Sequence, residues 1–524
     1  MSSIAWRRSS AAERRAPPAW ALAAVLAAAY LAVVPGGGDL ASQAYRAHLG
    51  PVLWDNGWYG GHHMPGYSLL FPALGAVLGA RLTGVIAAVA AAALFERLAL
   101  ERWGGRARLG TLWFALATAA DLVSGRMTFA LGLALALGAV YAATRGRRGT
   151  AIALGLLTST ASPVAAAFLA LGAGAWWLVE RRPAAVALGA AALVPAGALA
   201  LAFPEGGRFP FAASSFWPAL AALAGLLLVI PREERVLRVG VALTVLVTIT
   251  SFLVGNPLGG NVIRLATMIA GPLVACLLWR RRTWALALMA APLLVWQWVS
   301  PVTDWARAAG DPSIHAAYYA PLNAFLDRQG AGAPFRVEIP FTAAHWETRW
   351  VAASHPLARG WLRQLDTVRN PLFYDGRPLT AARYRRWLDD TAVRFVAVPD
   401  APLDASAREE AALVRRGAVP GLRAVWRERH WRVYEVASAR PLAAGAARAV
   451  ALDAERLTLR ADRAGTVDVR IRFNPYWRLT GGRGCVQRAP GDWTRVRLAG
   501  PGIVRLEPSF SPARVGATGP RCEG

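Results

Sequence analysis

The stretch "WYGGHHMPGYSLLFPALGAVLG", residues 58–79, decides how this chain is threaded. It stands between two strongly apolar runs, yet it carries adjacent histidines, a double glycine and two prolines. Its second part, "PGYSLLFPALGAVLG" (65–79), is apolar but falls short of the ~20 residues a spanning helix needs, and Pro72 breaks it. Counting it as a span would turn the next basic cluster, "ERLALERWGGRAR" (96–108), to the outer face, against the bias of basic loops for the cytoplasm. We read it as an interfacial or half-inserted helix, with residues 36–81 forming one long outer loop after the first span.

Composition sets the class. Of 524 residues, 55% are hydrophobic and only 17% charged, too few for a soluble chain of this size. The reading is a polytopic α-helical membrane protein. Its net charge of +26 comes from arginine alone, since the chain contains no lysine. Such a balance can signal nucleic-acid binding. Here the arginines fall in short loops between apolar runs, where they set topology, so no nucleic-acid partner is expected.

Arg7, Arg8, Arg14 and Arg15 place residues 1–18 inside, as do the clusters at 144–149, 180–183, 231–238 and 279–283 for their loops. About eleven spans result, near 19–35, 82–97, 109–123, 127–143, 150–161, 163–179, 184–203, 215–230, 239–255, 262–278 and 284–300. The first lacks a cleavage signature and is read as a span, not a signal peptide. Pro163 interrupts the 150–179 pair. The membrane domain is thus 19–300, with the chain emerging outside at 301.

Beyond that point charge rises and apolar runs shorten. "FRVEIP" (335–340), "VRFVAVPD" (393–400) and "LRAVWRERHWRVYEV" (422–436) alternate with helical patterns at 316–328, 380–390 and 405–416, predicting an extracytoplasmic α/β domain over 301–440. Residues 441–524 predict a β-sandwich. Cys485 and Cys522 both fall there, and a disulfide between them suits an oxidising compartment. Cys276 lies in an apolar run as a packed core residue.

Charges beside spans are costly and therefore functional candidates. Asp39 follows three glycines in "GGGDLASQAYR" (36–46), and Asp55, His62 and His63 lie deeper in the same loop. Asp121 closes the third span, Arg126 opens the fourth, and Asn261 and Arg264 share one helix face at i, i+3 spacing. A carboxylate can take a proton from an acceptor hydroxyl or hold a divalent cation. Arginines at the membrane surface can grip a lipid phosphate. In "HWETRW" (345–350), His345 and Glu347 alternate as on one strand face, where Trp346 or Trp350 could stack on an acceptor sugar. No P-loop, GxGxxG or nucleophile elbow supports cytoplasmic nucleotide chemistry.

This arrangement resembles the GT-C superfamily of integral membrane glycosyltransferases. That family's long first outer loop starts with an acidic residue, carries surface-lying helices and often includes a His-Pro or Lys-Pro element. "GGGDLASQAYR" and "HHMPGYSLLFP" match that layout, and "ADLVSGR" (120–126) supplies a second acidic position. "GNPLGGNVIRL" (255–265), "FNPYWRLTGG" (473–482) and "VRLAGPGIVRLEPSFSP" (496–512) resemble elements of its YfhO-like branch. The resemblance implies a plasma-membrane enzyme that moves a hexosyl or pentosyl unit, with inversion, from a polyprenyl-phosphate donor to a cell-envelope glycan or glycolipid. Asp39 would be catalytic, and Asp121 and Asp55 would orient the acceptor or a metal (Mg²⁺ or Mn²⁺). Arg264, Arg126, His62, His63 and Asn261 would bind the donor phosphate, and His345, Trp346 and Glu347 the acceptor. The alternative is a non-catalytic relative that binds lipid-linked glycan as a scaffold. A transporter fits less well, since no repeated halves or mid-membrane acidic relay appear.

Overall fold

The computed structural model describes residues 17–330 and 332–523. Most of the 1–18 segment, with Arg7, Arg8, Arg14 and Arg15, lies outside the described residues. The chain divides into two compact units. The first comprises residues up to Ala47, Tyr67–Ala198 and Gly207–Ala309; the second comprises His48–Gly66, Leu199–Gly206 and residues from Gly310 onward.

The first unit opens with α1 (Ala19–Val33) and α2 (Leu40–Leu49), whose last two residues pass into the second unit. Next along the chain, in the second unit, come two-residue strands β1 (Trp54–Asp55) and β2 (His62–His63). The first unit resumes with α3 (Leu70–Leu78), α4 (Ala80–Trp103), α5 (Arg108–Val123), α6 (Met127–Thr144) and α7 (Arg148–Ala161). It continues through α8 (Pro163–Glu180), α9 (Pro183–Ala202), α10 (Ala213–Val229), α11 (Arg235–Leu253), α12 (Arg264–Leu278) and α13 (Thr283–Ala308).

Each of the eleven stretches read as spans is helical. Among the described residues, seven helical stretches are long and apolar enough to cross a membrane, the first being α4 and α5 joined through a 3-10 turn at Gly104–Ala107. Three helices fall below that length: α1 with 15 residues, α7 with 14 and α10 with 17. Pro163 is the first residue of α8, where its missing N–H costs nothing and Ser162 Oγ caps Ala165 N at 3.3 Å. The segment 65–79 contributes α3, nine residues long.

Helices in this unit pack through small residues, which let backbones approach closely where lipid offers no hydrophobic gain. A Cβ on Gly110 of α5 would come within 2.2 Å of the buried Cys276 Sγ on α12. Polar side chains add specific links: Trp113 Nε1 donates to Gln297 Oε1 at 3.0 Å, and Gln297 Nε2 donates to the Thr267 carbonyl at 2.9 Å.

In the second unit, α14 (Ala316–Gln329), β3 (Arg336–Glu338), α15 (Glu347–Trp350), α16 (Arg363–Arg369), α17 (Ala381–Asp390), β4 (Val393–Pro399), α18 (Arg408–Arg415), β5 (Leu422–Arg427) and β6 (Trp431–Val436) follow one another. Their sheet has order β3-β4-β6-β5, with β3 and β4 parallel. Tyr384 and Leu388 of α17 and Leu413 and Val414 of α18 pack with Val393, Val396 and Val398 of β4.

The remaining strands are β7 (Ala443–Gly445), β8 (Ala447–Leu452), β9 (Leu457–Ala461), β10 (Gly465–Arg472), β11 (Trp477–Thr480), β12 (Gly484–Ala489), β13 (Trp493–Leu498), β14 (Gly502–Pro508) and β15 (Arg521–Glu523). They form two antiparallel sheets, β15-β12-β13-β10-β7 and β11-β14-β9-β8. Along β10, Val467, Val469 and Ile471 are buried while Asp468 faces out, the period-2 alternation of a half-covered strand. The Cys485–Cys522 disulfide ties β12 to β15.

The first-loop hairpin is built into this unit. Trp54 joins the sandwich core against Trp477, ring centroids 5.3 Å apart. Trp58 Nε1 donates to the Thr348 carbonyl at 3.1 Å, and Asn56 N to the Ala454 carbonyl at 2.7 Å.

Candidate active site

In the first unit, one of the glycines before Asp39 has a steric reason. A Cβ on Gly37 would come within 2.3 Å of the Val123 carbonyl oxygen, so only glycine lets this turn lie on the end of α5. Asp39 N then donates to the Ser124 carbonyl at 3.3 Å, and Ser42 Oγ donates to the Asp39 carbonyl at 2.9 Å as α2 begins. Arg264 is set by a different turn. Asn256 Oδ1 accepts from Leu258 N and Gly259 N, both at 2.9 Å, and Gly259 has a left-handed φ of 44° against the Phe209 carbonyl. A 3-10 turn from Gly259 to Ile263, carrying the half-buried Asn261, delivers Arg264 as the first residue of α12.

These two turns and the start of α6 bring four sequence-predicted residues together. Asp39 Oδ2 lies 3.5 Å from Arg264 Nη2 and 3.8 Å from Arg126 Nε. The three side chains are 37%, 18% and 24% exposed, a partly open cluster. Asp121 is buried beside them, in electrostatic contact with Arg126, Arg264 and Asp39, and among the described residues neither of its carboxylate oxygens has a hydrogen-bond partner. Arg126 Nε likewise lacks one. Polar atoms left unmatched at a buried position are costly, and here they surround a carboxylate that solvent reaches.

Two neighbours escaped the sequence reading. Asp304 interacts electrostatically with Asp39 and Arg126. The predicted last span ended at 300, whereas α13 runs to Ala308 through Pro301 and carries Asp304 within it. Tyr67 interacts with Arg264, accepts from Gln43 Nε2 at 2.9 Å, and has Arg46 over its ring at 3.6 Å. Its place in the polar part of the first loop was the only available signal.

The second unit receives the candidates of the first-loop hairpin and of "HWETRW". Asp55 and His62 pair across β1 and β2, with Asp55 Oδ2 3.6 Å from His62 Nδ1 and His62 stacked on Trp58. His63 Nδ1 lies 2.8 Å from Glu205 Oε1, and its Nε2 lies 3.2 Å from Asn474 Oδ1. Asp55, His62 and His63 are 0%, 1% and 7% exposed. They are buried within the hairpin and do not join the cluster around Asp39. Glu205 is half-buried, and against the burial that would raise it His63 and Arg369 hold its carboxyl below the ordinary range.

"HWETRW" also departs from its expected form. His345 has a φ of 58° and precedes the helical turn α15, so no strand face exists. Its ring stacks on Trp361 at 3.4 Å, and burial pushes its pKa down to about 3. Glu347 is buried, accepts from Thr342 Oγ1 at 2.6 Å, and has its pKa pushed up to about 8 by burial. Trp346 is buried and stacks on Trp350. All three candidates, His345, Trp346 and Glu347, are buried.

The donor set does not suit a divalent cation. Among the described residues no three His, Cys, Asp or Glu side chains converge as ligands, and the carboxylates of the open cluster are interleaved with guanidinium groups. No family model matches the chain, and no curated protein matches it. A solved structure of ArnT from Cupriavidus metallidurans, bound to undecaprenyl phosphate, is similar over 70% of this chain and 87% of its own. At 15% identity and a TM-score of 0.30, that overlap is too loose to establish a shared family.

Proposed function

We propose that this chain is a GT-C-like membrane transferase that takes a sugar from a polyprenyl-phosphate donor, of the YfhO-like type its 255–265 and C-terminal motifs resemble. The observation that carries this reading is Asp39, held at 3.5 and 3.8 Å from two guanidinium groups beside the unmatched carboxylate of Asp121. Each guanidinium has five N–H donors, and contacts this long leave most of them for a phosphate. Arg264 and Arg126 would hold the donor phosphate and take the charge that develops as the C1–O bond breaks. Asp39 would accept the proton of the acceptor hydroxyl as its oxygen bonds to C1 from the opposite face, inverting the centre. Asp121 and Asp304 would orient the acceptor. Two arginines supply the positive charge that a cation would otherwise bring.

Chain parity supports the topology. Residues 48–66, 199–206 and 310–523 belong to one compact unit, and one folded unit occupies one side of a bilayer. Between the first two segments lie α3 to α9, and between the last two lie α10 to α13. The second count is even only if the short α10 crosses, and the first only if one of α3 and α7 crosses and the other does not; we take α3, with nine residues against fourteen, as the one that does not. On this reading the first-loop hairpin anchors a folded outer domain, and α3 stays on the side it came from. Positive-inside bias puts that side outside the plasma membrane.

The test is release of polyprenyl phosphate, followed by mass spectrometry. Purified protein would be incubated with a panel of polyprenyl-phosphate sugars and an envelope extract, wild type beside Asp39→Asn. Release by wild type alone supports transfer. Saturable donor binding without release by either protein would favour the non-catalytic lipid-glycan binder.

A further inference from the structure

The first unit contains a second feature that the proposed chemistry does not use. Among α3, α4, α6 and α7 lies a cavity of about 440 Å³. Its walls are hydrocarbon, from Ile86, Ala90 and Leu94 of α4, Leu131 of α6 and Leu154 of α7. Its charged end is formed by Arg145 and Arg147, at the turn from α6 to α7. Arg145 pairs with Glu101 and lies over the Tyr141 ring at 5.1 Å. Arg147 and its neighbour Arg148 are exposed, and neither guanidinium meets a carboxylate among the described residues.

We propose that this slot is a binding site for an anionic phospholipid, one acyl chain lying along α4 and α6 and the phosphate meeting Arg147 and Arg148. The proposal rests on the reading of this unit as membrane-spanning. Charge complementarity selects the occupant: hydrocarbon walls require a lipid chain, and a basic end favours a net negative headgroup. The same charge separates this site from the transferase centre. Arg126 and Arg145 flank α6 at opposite ends, and its 18 residues rise about 27 Å. A donor whose phosphate met Arg126 would bring a bare hydrocarbon tail to the arginine end, leaving those charges unmatched. The lipid therefore belongs to the leaflet at the α6–α7 turn, which the arginine bias makes the cytoplasmic one.

The test is titration of delipidated full-length protein in detergent with dioleoylphosphatidylglycerol or dioleoylphosphatidylcholine, bound lipid being counted by native mass spectrometry. Two arginines near a headgroup predict about 30-fold tighter binding of the anionic lipid. Arg147→Gln with Arg148→Gln should remove that preference, while Ala90→Trp, which fills the slot, should weaken both lipids. Equal affinities in wild type would overturn the proposal, as would a preference that survives the double substitution. If Ala90→Trp does not fold, the arginine variant alone decides. One-for-one displacement of phosphatidylglycerol by a polyprenyl phosphate would also overturn it, by giving the slot to the donor's tail. Polyprenyl-phosphate release, measured in parallel, keeps failure of the transferase reading distinguishable.

Discussion

The two units each contain a carboxylate–guanidinium cluster, and the clusters are built differently. In the second unit Arg359 lies 2.8 Å from Asp366 and 3.3 Å from Glu410, with side-chain exposures of 1%, 0% and 0%. Its Nη2 also donates to Tyr374 Oη at 3.1 Å, and Tyr384 Oη donates to Glu410 at 2.7 Å. That network is closed. In the first unit the corresponding distances are 3.5 and 3.8 Å, and the carboxylate is 37% exposed. A closed network organises a core, because removing one partner strands a buried charge. An open, loosely matched one keeps hydrogen-bonding capacity for something that is not protein.

The comparison is sharpest if single substitutions in the two clusters fail in opposite ways. Asp39→Asn should lower polyprenyl-phosphate release by about 10²- to 10⁴-fold, the range of general-base catalysis, while yield and Tm stay at wild-type values. A parallel fall in Tm would make Asp39 a structural residue and dissolve the contrast. Arg359→Met should do the reverse, costing about 3–5 kcal/mol of stability, read as loss of folded protein in thermal unfolding.

The buried side has a pH signature as well. Glu347 has its pKa raised to about 8 from the 4.5 of an ordinary glutamate, so the folded state holds a proton that the unfolded chain releases. Its contribution is full below about pH 4.5 and is lost as pH rises toward 8. Glu347→Gln, which mimics the protonated form, should flatten the fall in Tm between pH 5 and pH 8. An unchanged slope would remove Glu347 from the account. The smallest expected effect is Arg264→Lys, which keeps the charge but loses the fork that meets a phosphate at two points. We expect about tenfold weaker donor binding with normal folding, measured by saturation with donor.

What the sequence made legible follows from how local each signal was. The eleven apolar helices were readable because their pattern is local, and Pro163 marked a helix start by its own chemistry. Asp39, Asp121, Arg126 and Arg264 were readable one by one as charges at apolar boundaries. Their meeting was not, since 225 residues separate Asp39 from Arg264. The burial of Asp55, His62 and His63 was not readable, because their partners come from far along the chain, including Glu205 and Asn474. "HWETRW" misled because alternation over a few residues does not distinguish a strand from a helical turn, and a positive φ at His345 decides it. Asp304 was missed through a span boundary drawn eight residues too early for α13.

The hairpin of the first loop also has a consequence in time. Leu53 N donates to Glu455 Oε1 at 2.7 Å, a partner 402 residues later in the chain. At the usual pace of synthesis, about 5–20 residues per second, the ribosome needs roughly 20–80 s to produce that partner. Throughout that interval Trp54, buried at the end in the sandwich core, lacks the strands that cover it. The hairpin is thus among the last parts to settle, and a chain stopped before its sandwich is complete leaves Trp54 exposed as a mark that quality-control machinery can read.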